Sequence, residues 1–155
     1  MLRAARQQEQ AVAAKPSWSI VVFSIGGMKL AARTEDVGGV TPWGDRIPVP
    51  SRTPFVGSLV KRDKEVLPVY DLASQLDREA QGESMLCLVA RHVDGPMAIC
   101  IDADIPSLHT VDAAQIRPSR RQDIETVGSF TSDGEEIDIV ALQRLGKTRH
   151  ESLRQ

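Results

Sequence analysis

The stretch Trp18-Ser19-Ile20-Val21-Val22-Phe23-Ser24-Ile25-Gly26-Gly27-Met28-Lys29-Leu30-Ala31-Ala32 decides the fold class. Apolar and β-branched residues run up to a glycine pair and resume directly after it. Each run is too short for a stable helix and suits a strand, and Gly26-Gly27 supplies the positive φ that a tight hairpin turn requires. Residues 18–32 therefore read as a β-hairpin.

Working outward, Thr34-Glu35-Asp36 reads as a helix start, with Val37 and Val40 as the apolar pair of a short turn. Residues 56–61 and 66–70 read as strands joined by the polar turn Arg62-Asp63-Lys64-Glu65. Asp71 is placed to cap a single helical turn that turns Leu72 and Leu76 inward. Pro42, Pro48, Pro50 and Pro54 fall between strands, where they belong at edges and bends.

The second half repeats this order. Residues 85–92 turn at Asp94-Gly95 and return through 97–101, an acidic stretch Asp102-Ala103-Asp104 follows, and residues 127–131 turn at Ser132-Asp133-Gly134 and return through 137–140 into a short helical turn at 141–145. A weak duplication of this kind lets each half curl into a small barrel, the two packing together because neither buries enough area alone. The expectation is an all-β fold of two lobes with short helical turns and a groove between them. It occupies residues 17–146, preceded by an N-terminal helix or tail over 1–16 and followed by a C-terminal tail over 147–155.

Composition narrows the function. The 155 residues carry 19 Lys and Arg against 21 Asp and Glu, for a formal charge of -2. The densest basic run, Arg117, Arg120 and Arg121, is followed at once by Asp123 and Glu125 with no aromatic residue interleaved, which argues against nucleic-acid binding. No segment approaches the roughly 20 apolar residues of a membrane span, and the N-terminus has no stretch of signal length, so the expected location is cytoplasmic. Cys87 and Cys100 sit in apolar runs and read as reduced core cysteines, although facing strands would bring them close.

His92, His109 and His150 are far apart and lack zinc-ligand spacing, so no metal is expected. Gly26-Gly27 and Gly38-Gly39 lack the spacing of a phosphate cradle, and the chain has no nucleophile elbow. The acidic groups at Asp102 and Asp104, and at Glu135, Glu136 and Asp138, lie at strand ends where such residues face water or cap turns. No nucleophile, base and orienter combination is readable, so neither an enzyme nor a cofactor is expected.

Several segments, in order, resemble the CheW-like domain, the coupling-protein fold of bacterial chemotaxis. They are residues 22–27, Glu35-Asp36-Val37, Ile47-Pro48-Val49-Pro50 with Pro54-Phe55-Val56-Gly57, Leu67-Pro68-Val69-Tyr70-Asp71-Leu72, Ile99-Cys100-Ile101-Asp102 and Ile139-Val140-Ala141-Leu142. The resemblance spans about residues 18–145. It implies two interlocked five-stranded SH3-like barrel lobes around a shared core. It also implies an adaptor joining the tip of a methyl-accepting chemoreceptor to a CheA-type histidine kinase, with receptor helices in the inter-lobe groove and a hairpin face of the first lobe on the kinase.

Carried over by alignment, Val37, Val40 and Gly57 fall near these surfaces, and Ile101 and Ile105 approach the groove from the other lobe. Two departures stand out. The turn Arg62-Asp63-Lys64-Glu65 is one residue longer than the family's Arg-Gly turn, which would move Arg62, and Ala141 stands where the family carries a capping Asp. These departures suggest a divergent member that engages receptor and binds kinase weakly. The remaining alternative is a sensor that binds a small ligand in the groove.

Overall fold

A computed structural model describes residues 16–147. The expected N-terminal helix or tail, and nearly all of the C-terminal tail, lie outside the described residues. Among the described residues, eleven strands form two curled sheets. Lobe A is a five-stranded sheet in the order β10-β11-β2-β1-β9, and lobe B a six-stranded sheet in the order β3-β7-β8-β6-β5-β4. The strands are β1 Ser17–Ile25, β2 Met28–Arg33, β3 Val37–Pro42, β4 Arg46–Pro48, β5 Val56–Arg62, β6 Glu65–Tyr70, β7 Leu86–His92, β8 Gly95–Ile101, β9 Ser107–Asp112, β10 Thr126–Ser132 and β11 Glu135–Val140. The one-turn helix α1, Leu72–Gln75, follows β6.

The all-β, two-lobed expectation holds, with a short sixth strand, β4, added to one lobe. The division of the chain does not follow its halves, however. Each lobe takes its central hairpin from the other half of the sequence. The β1–β2 hairpin pairs with β9 and, in parallel, with β11, whereas β7–β8 inserts between β3 and β6. An independent barrel from each half is thus replaced by an exchange of hairpins. The reason lies in the burial pattern, because these hairpins are apolar on both faces. In β1, Ile20 and Val22 fill lobe A while Phe23 and Ile25 face lobe B. In β7, Cys87 and Val89 fill lobe B while Leu88 and Ala90 face lobe A. Only a central position covers both sides of such strands. The layer between the lobes, which includes Leu30, Tyr70, Leu72, Ile99, Ile101 and Leu142, is the largest of three buried clusters.

The hairpin turns behave as their residues dictate. Gly26 and Gly27 have φ of 60° and 79°, both in the left-handed region. The 62–65 turn contains only Asp63 and Lys64, since Arg62 and Glu65 are still paired, and Asp63 takes φ 53° in place of a glycine. Asp71 caps α1 through Ser74 N and Ser74 Oγ. At the matching place Ala141 provides no side-chain cap. The last turn is held instead by His92, which accepts at Nδ1 from the Asp94 N–H and therefore donates from Nε2 to the Leu145 carbonyl, 2.8 Å away.

One carboxylate joins all of this. Asp102, at the end of β8 and buried, accepts from the backbone N–H of Gly26 at 2.8 Å, Gly27 at 2.8 Å and Gln81 at 2.7 Å, and its own N–H donates to Ser24. Removing the acceptor strands three amides in a poorly hydrated place. Asp102→Ala is expected to lower the free energy of unfolding by about 3 kcal/mol. Urea denaturation measures this, and an unchanged midpoint would show that the junction does not depend on the carboxylate.

Candidate functional site

The residues singled out in the sequence fall on three parts of the surface and one part of the core. Val37 and Val40 lie in β3, not in a helical turn. Only Thr34–Asp36 is helical, as a single 3-10 turn, and the chain then extends to pair with β7. Gly38, Gly39 and Pro42 disfavour a helix, and the β-branched residues Val37, Val40 and Thr41 fit a strand. Gly39, at a register shift, has φ 147°. Val40 is exposed on this edge strand.

Arg62 is brought to the same place from the far side of lobe B. A Cβ built on Gly39 would lie 3.0 Å from Arg62 Nη2, so the guanidinium rests on the bare glycine where the curled sheet closes. Trp43 assists the closure, donating from its backbone N–H to the Met85 carbonyl at 3.0 Å. Arg62 is thus half-buried and its Nε has no hydrogen-bond partner.

Gly57 occupies a different surface. It lies at a register shift of β5, nothing approaches its Cβ position within 4 Å, and it lines a cleft with Arg46, Pro48, Phe55, Val69 and Asp71. Ile47, 55% exposed, stands on the adjoining edge strand β4. Ile101 is fully buried in the layer between the lobes and cannot present its side chain to a partner. The groove expected there is largely filled by that layer. Ile105, four residues on, is 88% exposed on the connection from β8 to β9, and Leu108 on β9 is 77% exposed. Sequence reasoning missed Leu108 because Ser107–Asp112 reads as a polar stretch. Its strand character comes from pairing with β1, where Leu108 stands opposite Val21.

Asp36 adds an electrostatic feature beside Val37. Its carboxylate is buried and Oδ2 has no partner. Burial raises the carboxyl above its ordinary pKa of 3.8, the Glu35 charge adds to the rise, and Arg33 opposes it. Arg33 is itself paired with Glu35 at 2.6 Å and stacked 4.6 Å over the Trp18 ring. The basic run named in the sequence is no open patch, since Arg121 bonds Asp123 at 2.7 Å and Asp138 at 3.4 Å. Among the described residues, no three His, Cys, Asp or Glu side chains gather as a metal cage, and no helix is long and apolar enough to cross a membrane.

Among the described residues, edge strands, an open cleft and isolated exposed aliphatic side chains lie on a twin-lobed β scaffold. A family model for the CheW-like domain matches residues 19–148, and the chain belongs to that family, the scaffolding adaptors of chemotaxis signalling. Among solved structures, the scaffolding protein TtCheW from Thermoanaerobacter tengcongensis shares the fold, with a TM-score of 0.68 and 19% identity over 81% of this chain and 89% of that one. No curated protein sequence matches the chain.

Two outcomes test the site's physical reading. The folded chain holds the Asp36 proton more tightly than the unfolded chain does. Stability is therefore lost as pH rises from 3.8 through the raised value, and the loss persists at neutral pH. Asp36→Asn should raise the urea midpoint at neutral pH, with the gain vanishing below pH 3.8. A gain that grew on acidification would contradict this sign. Gly57→Leu should leave stability within about 0.5 kcal/mol of the parent, because its side chain enters open space. A large loss in the same denaturation experiment would mean that the cleft is closed in solution.

Proposed function

We propose that this protein is a cytoplasmic adaptor that couples the tip of a methyl-accepting chemoreceptor to a CheA-type histidine kinase. The observation that carries the reading is the placement of Val40, Ile105 and Leu108 on exposed edge strands and a connection, around a core that is already full. Such residues gain by burial against a partner, and edge backbone offers further hydrogen bonds. Receptor helices would lie along the rim between the lobes, against Ile105 and Leu108, with Val37 and Val40 on the β3 side. The unpartnered Asp36 Oδ2 beside them offers an acceptor to a donor on the partner. A polar atom that weakens the free protein is consistent with a role in recognition.

The kinase would use the cleft at Gly57 and the exposed β4–β5 edge. Arg62 supports the weaker kinase binding suggested by the sequence, because its guanidinium is folded back over Gly39 and is not extended from the hairpin tip. A small-ligand sensor is the less favoured reading, since side chains fill the space between the lobes.

Binding of the full chain to a receptor-tip helical bundle and to a kinase regulatory domain, each measured separately by calorimetry, tests the proposal. Ile105→Arg with Leu108→Arg should weaken receptor binding at least about tenfold and spare the kinase, since single buried contacts in an interface centre contribute 1 kcal/mol or more. Gly57→Leu should have the opposite selectivity. Failure of the parent chain to bind either partner would remove the reading.

A further inference from the structure

The register of lobe B brings two cysteines and a methionine together. Cys87 on β7 stands directly opposite Cys100 on β8, so both side chains leave the same face of the sheet, with Cβ atoms roughly 5 Å apart. Met85, two residues before Cys87 and on that face, has its Sδ 3.7 Å from Cys100 Sγ. Both cysteines are free, Cys87 is buried and Cys100 is partly exposed, which leaves an approach from the Cys100 side. We propose that Met85, Cys87 and Cys100 form a binding site for a soft monovalent cation of the Cu(I) class, held by two thiolates and a thioether.

The competing use of a facing cysteine pair is a reversible disulfide, which mass spectrometry separates from metal binding, and the Met85 thioether beside Cys100 is a ligand that only the metal site would use. Burial pushes the Cys100 thiol up to about 11 and raises Cys87 as well. A soft cation displaces the thiol protons as it binds. One Cu(I) and two thiols give a bis-thiolate complex of charge −1 and two protons released to water, with no electron transferred. Two guanidiniums already act on this place, Arg46 on Cys100 and Arg62 on Cys87, and Arg62 Nε is a buried donor with no acceptor. Zinc-type ions lack a ligand set here, since no imidazole or carboxylate joins the sulfurs in a cluster among the described residues. The proposal is independent of the adaptor reading.

Equimolar Cu(I), supplied to the full chain under nitrogen as its bathocuproine disulfonate complex, tests it. The chain should bleach the complex by taking one Cu(I), with apparent affinity falling about 100-fold per unit decrease in pH because two protons are displaced. Met85→Leu, which preserves volume, should weaken binding about tenfold, and Cys87→Ala or Cys100→Ala should abolish it. The pH slope of the parent chain and the Met85→Leu variant keep the test informative should an alanine variant fold poorly. Three results would overturn the site: no transfer, transfer that survives in the double alanine variant, or loss of two hydrogens by mass with no copper retained.

Discussion

The Asp102 carboxylate is the constraint on which the rest of the structure depends. Its three acceptor contacts reach the β1–β2 turn of lobe A and the loop at Gln81, while its own backbone ends a central strand of lobe B. A glycine pair in the left-handed conformation aims two consecutive N–H groups at one point, and a negative charge there satisfies both. Without that anchor the tie of the β1–β2 hairpin would rest on the Asp102 N–H to the Ser24 carbonyl and on the Arg78 guanidinium against the Gly26 carbonyl. The layer of aliphatic side chains between the sheets supplies most of the burial, but burial is non-directional, and the carboxylate fixes the register of one lobe against the other.

That division of labour explains why the functional surfaces sit where they do. The central strands are buried on both faces and have nothing left to offer a partner. Edge strands β3, β4 and β9, each closed by Gly, Pro or polar residues, keep one edge or one face available, and the exposed aliphatic side chains Val40, Ile47 and Leu108 are found on them. Asp36 shows the tension such a surface carries. Its buried and incompletely paired carboxylate lowers the stability of the free chain beside the strand that the adaptor reading assigns to recognition.

Much of this was legible in the sequence, for reasons that can be named. The hairpins at Gly26-Gly27 and Asp133-Gly134 were readable because turn chemistry is local, and Asp71 as a helix cap for the same reason. Edges were harder. Val37 to Pro42 suggested a helical turn because Thr34-Glu35-Asp36 does begin one, and only the ladder to β7 extends the residues that follow. The β9 strand had no apolar alternation to announce it. Ile101 and Ile105 looked alike on paper, yet one is enclosed and the other bare, a difference set by which sheet face each meets. The exchange of hairpins between lobes was out of reach of pattern reading from the residues, since it is decided by pairing across distant segments. The meeting of Met85 with Cys100 was hidden by the same distance in sequence.

The exchange of hairpins also bears on how the chain comes into being on the ribosome. Strand β2 emerges early, but its parallel neighbour β11, joined through Leu30 and Asp138, is made more than a hundred residues later. At about 5–20 residues per second, that is a delay of roughly five to twenty seconds during which β2, paired to β1 on one edge, has no neighbour on the other. Lobe A therefore cannot close during most of translation, and lobe B must wait for β8. Unlike a tandem pair of barrels, in which the first half would complete a sheet of its own, this fold completes neither sheet without strands from the second half of the chain.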